Sequence, residues 1–404
     1  MSQPENIIAV LDAGSSKVRV LIAEVHEGAL RYRGHGIADA AGMRKGLISD
    51  LAPAAVAIDR AAVSAEASAQ TVIERCVVAV GGPHIRGVNS RGGISLGTRL
   101  REITKEDVRG AVDRARSIPL PADRDVLHLL PQQFILDEQQ GIHDPVGMIG
   151  NRLEVNLHIS TSSASAQQSI ITCVNKAGLE VTETVLESLA AAEATLSADE
   201  RELGVCLLDI GASTSELAVF FEGYVAHTSV VPIGGDHFTN DLAVGLHVTA
   251  PEAEWLKCNY GHAIVTAVPE QNEIEVTGLP GYEPRVVRQR FIAEILEPRA
   301  RELFQLLRDN LRQGGVLEAM GAGCVLTGGA ARLPGLLETA ESLLRVPARL
   351  ASPVPLSRMP AELSAPEFSV ATGTLLYAHR TGVNRAAENQ GLRAKLRAIL
   401  AGSV

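Results

Sequence analysis

Alternation of apolar and polar positions marks two segments of the chain that share one setting. Val18, Val20 and Ile22 alternate after Lys17, and Leu217, Val219 and Phe221 alternate after Thr214. Each tail follows an apolar run, residues 7–10 in one case and 203–207 in the other. A period of two reads as strand, so each segment predicts an antiparallel hairpin closed by a glycine-containing turn. The two connectors are near copies: Leu11-Asp12-Ala13-Gly14-Ser15-Ser16-Lys17 and Leu208-Asp209-Ile210-Gly211-Ala212-Ser213-Thr214. One Asp-x-Gly turn is an ordinary connection. Two in the same strand context, about half the chain apart, predict a duplicated fold whose hairpins face each other across a cleft.

The remaining pattern alternates strands with helices. A third strand is predicted over 31–37, a helix over 51–68 behind Asp50 as N-cap, and a buried strand over 76–80 closed by Gly81-Gly82-Pro83. From 84 to 160 the texture changes. Thr104 with Asp107 suits a capped helix running to 117, and 126–136 and 153–160 read as paired strands. This stretch is either an inserted α+β module or an irregular extension of the first half. Beyond it the pattern predicts helices over 164–177 and 183–196, then the second hairpin, then a strand over 228–233. Gly234-Gly235 opens a helix, a second helix spans 251–257, and 263–290 is polar and β-like. A helix over 291–313 should kink at Pro298. A strand over 324–327 runs into Gly328-Gly329, and a closing helix spans 368–379.

The end of the chain breaks the pattern again. Residues 380–390 read as a polar linker. At 100° per residue Leu392, Leu396, Ile399 and Leu400 share one side of a helix, with Arg393, Lys395 and Arg397 flanking or opposing them. A short basic amphipathic helix at a tethered end suits an anionic lipid surface. A helix docked on its own domain, or on a partner, is the alternative. So few apolar side chains bind lipid weakly one at a time, so stable attachment needs several tails acting together.

Composition narrows the classes. A chain of 404 residues with 46% hydrophobic and 21% charged residues is globular and long enough for two or more domains. A net charge of −10 and 3% aromatic residues argue against nucleic acid as a partner. The five cysteines are widely spaced, without a zinc pattern, and read as buried free thiols. No signal peptide is evident at the start, and no apolar stretch is long enough to cross a bilayer, so membrane contact should be peripheral.

Candidate chemistry concentrates in the turns. Gly14 and Gly211 let backbone N–H groups approach an anion, and Ser15, Ser16, Ser213 and Thr214 add hydroxyls. Asp12 and Asp209 would repel a phosphate unless Mg²⁺ lay between, held through water. Gly234 and Gly235 open a helix N-terminus suited to a phosphate or ribose. Gly328 and Gly329 allow close approach to a flat ring such as adenine. Glu254 and Lys257 share a helix face and could equally be a solvated ion pair.

The duplicated hairpins resemble the phosphate loops of the actin, Hsp70 and sugar-kinase superfamily. The finer resemblance is to the FtsA family of bacterial cell-division proteins. It is carried by the segment from Leu11 to Val18, by 126–160, by Leu208-Asp209-Ile210-Gly211, by Gly234-Gly235-Asp236-His237-Phe238-Thr239-Asn240-Asp241, by 325–330 and by the tail. The resemblance implies an α/β, actin-like (ribonuclease H-like) two-lobed fold with an inserted α+β subdomain of the 1C or SHS2 kind. The implied division is 1–83 with 161–194 (1A), 84–160 (1C), 195–232 with 315–375 (2A), 233–314 (2B), a return to 1A over 376–379, a linker over 380–390 and a membrane helix over 391–404.

It further implies ATP and Mg²⁺ as ligands. Gly14, Ser15, Ser16, Lys17, Gly211, Ser213 and Thr214 would hold phosphates, with Mg²⁺ at Asp12 and Asp209. Gly234 and Gly235 would lie near the ribose, Glu254 and Lys257 beside the nucleoside, and Gly328, Gly329 and Ala330 along the adenine. Glu187 would orient the attacking water, although Ser188 stands where related proteins usually carry proline. At most weak ATPase activity is implied, with nucleotide governing conformation and polymerisation. Implied partners are the C-terminal tail of the ring protein FtsZ, other copies of the chain, later divisome proteins and an anionic membrane. The implied location is the cytoplasmic face of the inner membrane at the division site. Arg285, Arg288 and Arg299 are candidates for the FtsZ contact, or else plain surface charges. The alternatives are an actin-like ATPase of a pilus or secretion machine and, with no visible base for an acceptor hydroxyl, a small-molecule kinase.

Overall fold

Both hairpins form, and in the same register. In the computed structural model, which describes residues 6–281 and 283–382, β1 (Ile7–Ala13) pairs antiparallel with β2 (Lys17–His26), and Asp12 lies opposite Arg19. The chain continues through β3 (Ala29–Asp39), the short pair β4 (Met43–Arg44) and β5 (Leu47–Ile48), α1 (Leu51–Ala69) and β6 (Arg75–Val80). Asp50 caps α1, its carboxylate accepting from the Ala52 N–H at 3.2 Å. The next stretch holds β7 (Arg86–Ser95), β8 (Arg101–Glu102), α2 (Lys105–Arg116), β9 (Arg124–Leu136), β10 (Gln139–Ile142), β11 (Ile149–Gly150) and β12 (Arg152–Ser163). Thr104 and Asp107 form a reciprocal capping box at α2.

After α3 (Ala164–Lys176) come β13 (Glu180–Leu186), α4 (Glu187–Thr195) and α5 (Ala198–Leu203). The helix expected over 183–196 therefore starts only at Glu187. Thr182, Thr184 and Val185 are β-branched, and the segment pairs parallel with β6 as an edge strand. Leu203, expected to begin the second apolar strand, instead ends α5 and is exposed. The second hairpin is β14 (Val205–Ile210) with β15 (Ser215–Phe221), and Asp209 lies opposite Glu216. It is followed by β16 (Tyr224–Val231), which starts earlier than expected, then α6 (Gly235–Leu246) and α7 (Ala250–Tyr260). The polar stretch 263–290 contributes only β17 (Glu273–Val276) and β18 (Arg285–Arg288). α8 (Gln289–Gln313) runs on through Pro298. β19 (Gly323–Thr327), α9 (Leu336–Leu344), β20 (Ala348–Leu350) and α10 (Ser369–Thr381) complete the described chain.

The two main sheets are copies in topology. The first has order β13-β6-β1-β2-β3 and the second β20-β19-β14-β15-β16. Each has an antiparallel meander on one side of its central strand and parallel strands on the other. The third sheet, β10-β9-β12-β7, is antiparallel and carries α2 over its own apolar core of Val108, Val112, Leu153, Val155 and Leu157. This is an α/β fold of two like-wound sheets with an inserted α+β domain that has its own core.

Alternate residues of β14 divide between cores. Val205 and Leu207 pack with the first sheet, whereas Cys206, Leu208 and Ile210 pack with α6 and α8. α4 lies between the sheets and touches β6, β13, β14, β15 and α10. Its first residue, Glu187, consequently lies against Gly81 together with Glu216 of the second sheet. Among the described residues no helix is long and apolar enough to cross a membrane. Cys76, Cys173, Cys206 and Cys324 are buried free thiols, while Cys258 is exposed. The residues expected to form a membrane helix, Leu392, Arg393, Lys395, Leu396, Arg397, Ile399 and Leu400, with most of the expected linker, lie outside the described residues.

Candidate functional site

The first turn, Gly14-Ser15-Ser16, is tied down from the side. Ser15 Oγ accepts from the Gly46 N–H at 2.9 Å, and the Ser16 carbonyl accepts from the Ala40 N–H at 3.0 Å. Lys17 opens β2, half-exposed, with its ammonium on Asp39. The second turn closes on itself, Gly211 N–H to the Thr214 carbonyl at 2.9 Å. It is buttressed by the start of α6: the Gly235 N–H donates to the Gly211 carbonyl at 3.0 Å and the Asp236 N–H to the Ala212 carbonyl at 2.7 Å. Ser213 Oγ donates to Asp236 Oδ2 at 2.6 Å.

On the second-lobe side the other candidates converge. Lys257 Nζ reaches the Gly235 carbonyl at 3.2 Å and Thr239 Oγ1 at 2.9 Å, and it pairs with Glu254. Glu254 and Lys257 are thus part of a network with Thr239 rather than a bare solvated pair. A Cβ on Gly235 would stand 3.2 Å from the Ala330 Cβ and 3.3 Å from Lys257 Nζ, so these three line one wall. Gly328 has φ +87°, and a Cβ there would meet Asp209 Oδ1 at 2.2 Å. Only glycine lets β19 turn this tightly beside the second hairpin.

The floor of the cleft is acidic. Asp12, Asp209 and Glu216 are buried, and Glu187 is partly buried. Burial first, and then their mutual repulsion, pushes Asp209 up to about 7, Glu216 up to about 8 and Glu187 well above the usual carboxylate range. Asp12 is also raised by burial, against the pull of Arg19, whose Nη1 donates to Asp12 Oδ2 at 3.2 Å. A Cβ on Gly81 would meet the carboxylates of both Glu187 and Glu216, and the Gly82 N–H donates to Glu216 Oε1, so acids from the two sheets meet at one place in the cleft. Glu216 Oε2 is buried without a hydrogen-bond partner. A cavity of about 30 Å³, space for one or two waters, adjoins the first turn and is lined by Ala13, Gly46, Gly81, His84 and Glu187.

A cluster of buried acids held toward their neutral form, with an orphaned oxygen, fits a divalent cation that would favour their charged form. Among the described residues no three potential ligands converge closely enough to bind an ion directly. Glycine-containing turns of this kind suit the phosphates such an ion would carry.

Sequence reasoning missed Arg19, Thr239 and Glu216. Arg19 and Glu216 occupy the same position in the two hairpins, each directly opposite the aspartate. That register was the available signal, and the apolar alternation around both residues hid it. The arginines expected to bind a partner are not gathered here. Arg299 grips Asp241 through two hydrogen bonds of 2.7 and 3.0 Å, Arg285 donates to the Leu246 carbonyl, and Arg288 ends β18 on the surface.

Two family models match the chain, cell division protein FtsA over residues 206–373 and the SHS2 domain inserted in FtsA over 82–161. The cell division protein FtsA of Pseudomonas aeruginosa is 38% identical over 376 residues, covering 93% of this chain and 90% of the relative. That of Escherichia coli K12 is 34% identical over 390 residues, covering 95% and 92%. Among solved structures, the PilM-PilN type IV pilus biogenesis complex superposes with a TM-score of 0.64 at 18% identity, covering 93% of this chain and 99% of that one. MreB5 of Spiroplasma citri bound to ADP gives 0.57 at 13% identity, covering 96% and 100%. At such identities the structural likeness speaks for the fold alone.

Proposed function

The chain belongs to the FtsA family of cell division proteins, and from that premise we propose that it is an ATP-binding, polymerising adaptor between the division ring and the membrane. The observation that carries the nucleotide part is the acidic crevice shared by two matching turns. In this reading Gly14, Ser15, Ser16, Lys17, Gly211, Ser213 and Thr214 hold the phosphates, and Asp12 and Asp209 hold Mg²⁺ through water. Gly234 and Gly235 border the ribose, Glu254 and Lys257 the nucleoside, and Gly328, Gly329 and Ala330 the adenine. Bound Mg²⁺ would neutralise charge on the phosphates. Glu187, beside a water-sized cavity, orients water for slow hydrolysis. Nucleotide chiefly sets conformation and assembly.

The remaining parts follow the family. The lobes divide as 1A, 1C, 2A and 2B at the boundaries given above. The FtsZ tail binds the second lobe near Arg285 and Arg288, with Arg299 held back by Asp241. The inserted domain meets later divisome proteins. Residues 391–404 bind anionic lipid at the cytoplasmic face of the inner membrane, filaments supplying the avidity that one short helix lacks. The likeness to the pilus complex is one of fold, whereas the family matches take in both the inserted domain and the second lobe.

Sedimentation with anionic liposomes tests the adaptor reading. The full chain with Mg·ATP should pellet with the vesicles, and a chain lacking residues 391–404 should stay in solution. Equal pelleting of both would contradict the membrane role. Stoichiometric phosphorylation of a sugar or acetate would contradict the adaptor altogether.

A further inference from the structure

The inserted domain reaches the start of α4 through one imidazole. His128 lies on β9, opposite Ser160, where β12 leads back into the first lobe. Its Nε2 accepts from the Leu186 N–H at 3.0 Å. A ring that accepts at Nε2 is neutral and carries its proton on Nδ1. Both residues are buried, so water does not compete for the bond. The His128 ring also meets the Tyr377 ring of α10 edge-on, with 6.0 Å between centroids, and the Tyr377 hydroxyl donates to Glu183 Oε1 at 3.0 Å. Leu186 ends β13, an edge strand whose outward-facing amides find no partner within the sheet. It is also the N-cap of α4 and makes no side-chain cap bond. Leu186 pairs in register with Val80, so Glu187 and Gly81 are the next residues along the two strands. A Cβ on Gly81 would meet the Glu187 carboxylate, which places that carboxylate against the Gly81 backbone.

We propose that His128 is a positioning residue: by accepting the Leu186 N–H it fixes the strand end from which Glu187 projects against Gly81, and so ties the inserted domain to the cleft. Loss of the acceptor strands a buried N–H, which the chain can satisfy only by moving the end of β13, and Glu187 with it. Movement of the insert is thereby felt at Glu187. The consequence for hydrolysis rests on the nucleotide reading above; the hold on Leu186 does not.

Amide hydrogen exchange on the ligand-free chain reads the bond directly. His128→Phe keeps a ring for Tyr377 but removes the acceptor, and should speed exchange at Leu186 about tenfold, while β1 and β14 exchange as before. His128→Gln keeps an acceptor and should restore most of the protection. In crystals of His128→Phe the Glu187 carboxylate should stand away from Gly81. With Mg·ATP, His128→Phe should lower kcat about tenfold at nearly unchanged KM, and His128→Gln should recover most of it. Should His128→Phe fail to fold, isotope-labelled histidine in the wild type decides the matter: at neutral pH the Nδ1–H tautomer of His128 supports the bond, and the Nε2–H tautomer overturns it. Equal exchange in His128→Phe and His128→Gln, protection lost across the whole first sheet, or an unmoved Glu187 would overturn the proposal as well. A wild type that bound no ATP would sink the nucleotide reading, and the exchange data with the position of Glu187 would then decide the proposal alone.

Discussion

Asp209 shows how a residue can be wrong for stability and right for a ligand. Burial pushes its pKa to about 7, so the folded state keeps a proton that the unfolded state releases near 4. Between those values the folded state binds more protons, and stability falls as pH rises. Asp209→Asn should therefore stabilise the ligand-free protein at pH 8, on the order of 2 kcal/mol, and abolish the stabilisation that Mg·ATP gives the wild type. Thermal melts with and without Mg·ATP measure both effects. A wild type that melts no higher with Mg·ATP would contradict the cation reading. His158 has the opposite sign. It is buried between the inserted domain and β16, with Nδ1 on Asn89 at 2.6 Å and Nε2 on Thr228 at 2.9 Å. Burial, then the nearby His227, pulls its pKa down to about 3. The unfolded state then binds the extra proton below about 6.5, so this contribution is complete above that pH and is lost as pH falls. Each unit below 6.5 should cost up to about 1.4 kcal/mol, read as faster exchange in β16 and β12. His158→Gln should flatten that limb of the pH profile.

At the scale of elements, the crossing of α10 over α4 sets the geometry of the cleft floor. A Cβ on Gly373 would fall 1.7 Å from the Ala190 carbonyl oxygen. Gly373→Ala should thus push the helices apart and cost about 2–3 kcal/mol, measured by denaturant titration. Loss of ordinary helix–helix packing alone would leave nucleotide affinity intact; displacement of α4 should weaken it as well. The elements were also where the sequence was most and least legible. Both hairpins, Asp50 before α1 and the Thr104–Asp107 box could be read directly, because their signals lie within a few residues. β13 was misread as helix because its apolar positions also fit a helical period, and only its pairing with β6 decides the matter. Glu216 was missed for a similar reason. Its bond to the Gly82 N–H joins residues that are distant in sequence and meet only through the fold.

For the whole molecule, the shared core is the central fact. Val205, Leu207, Ala218 and Phe220 of the second sheet pack into the first core, so the lobes meet through apolar contact around α4 as well as at the cleft. The inserted domain has a separate core and meets β16 through polar contacts, among them Gln132 to the Val225 carbonyl at 2.8 Å and Asn89 to the Ala226 carbonyl at 3.0 Å. Lobe closure should therefore be felt at the insert. All of this depends on two matching turns gripping one magnesium-bound triphosphate. A crystal structure of the chain with Mg²⁺ and a non-hydrolysable ATP analogue tests that most directly. The β- and γ-phosphates are predicted to lie between the amides of Gly14 to Ser16 and those of Gly211 to Thr214, with the ion over Asp12 and Asp209. A nucleotide held by one turn only, or lodged outside the crevice, would contradict the account.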